Sequence, residues 1–132
     1  MKRVSLLIVI AAALAVVFLG CSKGHESTKS AGDLTITLSV ARYPLVKSDN
    51  TLTVKVTDAA GAAMTDGAVN VRYYMPPMAG MAPMDFNTQA TLKGNGYAFS
   101  ANIPMEGGWK VEITVARPGK PAAMATFNVD AR

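Results

Sequence analysis

The chain has one cysteine and one histidine in 132 residues. Cys21 has no partner within the chain, so no intramolecular disulfide can close and packing alone must hold any folded part. His25 lies in a polar stretch near the start, which leaves no Cys-His or Ser-His pairing to support a nucleophile. Asp49, Asp58, Asp66 and Asp85 fall at strand ends or turns, where solvation and turn hydrogen bonds account for them. No two carboxylates stand out as an acid–base couple. Gly94-Asn95-Gly96 is a hairpin turn and not a phosphate loop, because no helical pattern follows it. Neither a basic run nor an aromatic stacking series is present, which argues against nucleic acid as a partner. The expectation is a protein that is not an enzyme and takes no small-molecule substrate.

Long apolar runs are also scarce. The one candidate, Val4 to Leu19, is interrupted by Ser5 and covers 16 residues, short of the roughly 20 that a spanning helix needs. Lys2 and Arg3 precede it, and small residues end it. This is the pattern of a secretory signal peptide over residues 1–20. Gly20-Cys21 resembles a bacterial lipobox, with Phe18 where Leu is usual. On that reading Cys21 is lipidated and becomes the first mature residue, which explains an otherwise odd exported cysteine. The alternatives are an ordinary signal peptide followed by a free Cys, or an uncleaved anchor. Ser22, rather than Asp, follows the Cys. By resemblance to known lipoproteins, this favours the outer over the inner membrane of a Gram-negative envelope, with the domain in the periplasm. Residues 21–32, including "SKGHESTKSAG", read as a flexible polar tether with His25 as a solvated linker residue. Without residues 1–20 the formal charge falls from +4 to +2, as 11 basic residues then face 9 acidic ones. About 100 residues remain after the tether, enough for one domain over 33–132.

What is abundant there is period-two alternation. "LTITLSV" places Leu34, Ile36, Leu38 and Val40 on one face, and "LTVKVTD" does so with Leu52, Val54 and Val56. "AVNVRYYM" aligns Val69, Val71, Tyr73 and Met75. "DFNTQATLK", "YAFSANI", "WKVEITVA" and "AAMATFNV" continue the pattern. Alternation of this kind marks half-buried strands, and Gly-, Asn- and Pro-containing turns separate them. About seven antiparallel strands with no helical stretch predict an all-β fold, an immunoglobulin-like antiparallel β-sandwich, with a small barrel as the alternative. Trp109 alternates with Val111 and Ile113 and reads as core. Lys55 points outward.

Half of the 8 methionines fall in "MPPMAGMAPM", at Met75, Met78, Met81 and Met84. Met75 continues the inward face of its strand. Met84 shares parity with Phe86, and Met105 shares parity with Ile103. These three suit the end of a sandwich, since Met fills irregular gaps. Met64 and Met124 look like isolated packing residues. Met78 and Met81 lie mid-loop, where packing does not account for them. A thioether is a soft, uncharged ligand that selects Cu(I) and, by the same softness, Ag(I). In a straight polyproline II segment the four residues would share one edge about 9 Å apart, too far to share one ion. A common site therefore needs a bend, and Ala79-Gly80 is the place for it.

"MPPMAGM", followed by "GNGYAFSANIPMEGGWKVEITV", resembles the YtkA-like/FixH-like domain family. The elements are a Met-Pro loop at Met75, Pro76, Met78, Gly80 and Met81, then Gly96-Tyr97, then Pro104, Met105, Gly107 and Trp109. The resemblance implies an immunoglobulin-like, lipid-anchored or membrane-anchored domain associated with heavy-metal efflux or copper-oxidase assembly. Members often carry a His beside the Met loop, and this loop has none. Two functions follow as expectations. The first is a metal-binding module taking Cu(I) or Ag(I) on Met75, Met78, Met81, Met84 and Met105. The second is an adapter that presents the loop to an envelope protein complex.

Overall fold

The computed structural model describes residues 24–132. The expected signal peptide and Cys21 lie outside the described residues. Among the described residues, nine strands form two antiparallel sheets. They are β1 (His25–Ala31), β2 (Leu34–Val40), β3 (Asp49–Thr57), β4 (Ala68–Met75), β5 (Met84–Gln89), β6 (Thr91–Lys93), β7 (Gly96–Asn102), β8 (Gly107–Arg117) and β9 (Lys120–Ala131). One sheet has the order β1-β2-β3-β7-β6 and the other β5-β4-β8-β9. No helix occurs among the described residues. The protein is an antiparallel β-sandwich, the architecture the alternation predicts.

The core is the inward row of each strand. Leu34, Ile36, Leu38 and Val40 lie beside Leu52, Val54 and Val56 on one sheet, in a core cluster with Val69, Val71, Val111, Ile113, Val115, Phe127 and Val129 of the other. Full burial of such a side chain stabilises by about 1.5–3 kcal/mol. Trp109 is 1% exposed, and its indole N–H donates to the Met105 carbonyl at 3.0 Å. A buried indole needs such a partner. No polar or charged residue is buried among the described residues.

Two differences from the seven-strand expectation have physical reasons. The first concerns residues 25–31 of the tether expected over 21–32. His25–Ala31 is a strand, paired with β2 from His25↔Val40 to Ala31↔Leu34. "HESTKSA" shows no apolar alternation because β1 is a sheet edge with both faces largely polar, and only Ala31 is buried. Backbone pairing holds it, assisted by Lys29, whose Nζ donates to the Thr126 carbonyl and sits 5.6 Å over the Phe127 ring. His25 is not a free linker residue: its ring stacks on Tyr43 at 4.4 Å. The second concerns "DFNTQATLK", which divides at Ala90. There the backbone N–H donates to the Val69 carbonyl at 2.9 Å, and the chain leaves one sheet as β5 to join the other as β6. Met124 also departs from expectation. It lies on the outer face of β9, 56% exposed, and is not a packing residue. Met64, at 8%, is buried as expected.

Candidate functional site

The Met loop joins β4 to β5, the edge hairpin of the four-stranded sheet. Met75 and Met84 are the last cross-strand pair of that hairpin. Directly opposed residues place their Cβ atoms about 4.5–5.5 Å apart on one face. Met75 is buried and Met84 half-buried, and both pack on the core. Between them the chain turns sharply. The Met81 N–H donates to the Met78 carbonyl at 3.2 Å, and Gly80 has φ 81°. A positive φ at the third residue of a four-residue turn is the type II geometry, which favours glycine. The bend expected at Ala79-Gly80 is therefore present, and it brings the Cα atoms of Met78 and Met81 within about 7 Å.

All four methionines line one pocket of about 10 Å³, together with Pro76, Pro77, Ala82 and Pro83. That is room for about one water-sized sphere, far below the 300–1,000 Å³ typical of organic ligands. Met78 is 48% and Met81 37% exposed, so the outer half of the loop is open to solvent. Met105 does not line this pocket; it packs half-buried against the core, where its carbonyl receives the Trp109 indole.

Beneath the loop lies an aromatic layer that strand periodicity by itself does not reveal. Tyr73 and Phe86 stack at 5.2 Å, and Trp109 lies 6.4 Å from Tyr73 and 6.3 Å from Phe86. Such contacts come from cross-strand register, with Tyr73 paired to Phe86 on β5 and to Val111 on β8. Arg72 and Asp85 form a forked ion pair on the opposite face of the same hairpin, at 2.6–3.1 Å. That hydrogen bonding holds the Asp85 carboxyl below its ordinary range and raises Arg72, so both stay ionised. Arg72 also lies 3.7 Å from the Glu112 carboxylate, and residues 75–84 themselves carry no charge. Among the described residues, no three His, Cys, Asp or Glu side chains gather as a metal site. The soft thioethers are the concentrated donor set.

The model of the YtkA-like family matches residues 28–114. The chain belongs to the YtkA-like family. The family match begins inside β1, in agreement with that strand being part of the domain. Among solved structures, this YtkA-like chain is similar to the PmoD soluble domain of Methylocystis sp. Rockwell, with a TM-score of 0.54 and 12% identity. The match covers 80% of this chain and 96% of that one. At that identity the likeness concerns the fold. A search of the curated proteins gives no match.

Proposed function

We propose that this YtkA-like chain is a cell-envelope lipoprotein, anchored through Cys21, whose Met loop binds Cu(I) or Ag(I) in metal homeostasis or efflux. The observation that carries the reading is the convergence of Met75, Met78, Met81 and Met84 on one ion-sized pocket. The cross-strand pair supplies a fixed base, and the type II turn brings the outer two residues close to each other on the rim of the same pocket. Thioethers carry no charge and do not titrate, so such a site favours a soft monovalent ion over zinc. It cannot be lost to disulfide formation in an oxidising compartment.

The test is titration of the chain from Gly24 onward with Cu(I), in competition with a chromophoric Cu(I) chelator. Stoichiometric withdrawal of one Cu(I) per chain is expected. Failure to compete, together with no response to Ag(I), overturns the metal reading. One observation favours the second reading, an adapter for an envelope complex: Met78, Met81 and Phe86 are exposed apolar residues on one edge hairpin. The adapter binds no metal in that titration.

A further inference from the structure

The Met loop and the start of β1 occupy the same end of the sandwich. His25 stacks on Tyr43 at 4.4 Å. Tyr43 Oη lies 3.2 Å from an Asp130 carboxylate oxygen, to which it donates. Ala131, next in the chain, pairs with Gly107. A Cβ placed on Gly107 would meet Met75 Cε at 3.1 Å. These contacts run without a break from the first strand to the base of the Met loop. The opposite end carries the β1–β2 turn, the Asp33–Arg117 ion pair and the Gly94-Asn95-Gly96 turn. Strands of about seven residues separate the two ends by roughly 23 Å.

Chain length then limits how far this end can stand from an anchor at Cys21. Four residue steps connect Cys21 to His25, and a fully extended chain covers about 3.3–3.6 Å per step, or about 14 Å in all. A twelve-residue tether would leave the domain free to tumble; because β1 is paired from His25, that freedom is gone. The loop, residues 76–83, runs about four residues out and four back beyond its strands, a reach of the same order. Its tip is uncharged, with Met78 and Met81 exposed among Pro, Ala and Gly, so entering a lipid headgroup region desolvates no ion.

We propose that the Met-loop end of the sandwich faces the membrane and that the tip, Met78 to Met81, docks on the lipid surface. The inference rests on the Cys21 anchor of the proposed function and is independent of metal binding. It places the thioether pocket at the boundary between water and lipid.

The experiment uses the full chain, purified with its lipid and reconstituted into vesicles of phosphatidylethanolamine and phosphatidylglycerol. Acylation occupies the Cys21 sulfur, so Ala79→Cys or Asn95→Cys supplies a single free thiol for an environment-sensitive fluorophore. Both positions are exposed turn residues, at opposite ends of the molecule. The expected result is a blue-shifted emission at position 79, quenched by headgroup nitroxide lipid, with neither effect at position 95. Equal exposure of both probes to a water-soluble quencher, on a lipidated and vesicle-bound chain, overturns the docking and leaves the anchor standing. Shielding at position 79 in native membranes but not in pure lipid overturns the lipid surface in favour of a membrane protein. A mass spectrum showing no lipid on Cys21 overturns the anchor and the docking together.

Discussion

Met78 and Met81 differ from Met75 in what a change of side chain would remove. Met75 sits under the loop at 7% exposure, against Gly107, where shape matters. Met78 and Met81 are 48% and 37% exposed, outside the packed core, so what distinguishes them from Leu is chiefly the sulfur atom. Replacing both by Leu conserves volume and removes the soft ligand. Volume-conserving apolar swaps cost under about 1.5 kcal/mol even in a core, and less is expected at these exposed positions. The double variant should therefore melt close to wild type while losing at least tenfold in Cu(I) affinity, measured by chelator competition and thermal unfolding. An adapter would show neither change. Met105→Leu is the contrast: outside the pocket and packed on the core, it should alter melting more than affinity. Unaltered Cu(I) affinity in the Met78/Met81 variant would place the site elsewhere than this loop.

At the scale of elements, β1 is the addition with the largest consequence. It covers the edge of β2, a strand whose alternate residues are among the most buried in the molecule. An uncovered edge presents unpaired N–H and C=O groups to other chains. A chain beginning at Asp33 lacks the strand, so it loses the seven pairings with β2 and the Lys29 contact across to β9. It should unfold at lower urea than the chain from Gly24 and scatter more light at equal concentration. Equal midpoints and equal scattering would show that β1 contributes no stability and that residues 24–32 behave as a tether. The passage at Ala90 acts in the same way for β5 and β6: a single residue, anchored to Val69, decides which sheet each half of the segment joins.

Across the whole molecule, one ion pair closes the end opposite the Met loop. Arg117 on β8 grips Asp33 in the β1–β2 turn with contacts of 2.7 and 3.2 Å, tying the two sheets together. Hydrogen bonding from Arg117 lowers the Asp33 carboxyl below its ordinary value, and Arg117 is correspondingly raised. A carboxyl depressed in the folded state binds fewer protons there than in the unfolded chain. Its contribution is therefore fully present above the ordinary carboxylate value of about 3.9 and is lost as pH falls through the lowered folded value. Urea unfolding followed from pH 6 down to pH 2 should show a steeper fall in stability for wild type than for Asp33→Asn. Parallel pH profiles would mean that the pair contributes nothing to the linkage.

Much of this protein is determined locally. Alternation along "LTITLSV", "LTVKVTD", "AVNVRYYM" and "WKVEITVA" specifies strands and their inward faces, because side chains in a strand reverse direction at every residue. The same parity assigns Met75, Met84 and Met105 to the rim and Trp109 to the core, and Gly80 marks the turn because few other residues tolerate its φ. The concentration of soft sulfur in ten residues is likewise a property of the sequence. Other features depended on which strands become neighbours. β1 was illegible because an edge strand held by backbone hydrogen bonds needs no apolar face. Met124 is outward by the parity of its own strand: Ala123, Ala125, Phe127 and Val129 form the buried row of β9, and an even-numbered position lies on the other face. The Tyr73–Phe86–Trp109 layer, the Arg72–Asp85 pair and the shared end of β1 and the Met loop join residues far apart in the chain. Only tertiary register brings them together, because pairing across strands is set by the sandwich as a whole and not by any single segment.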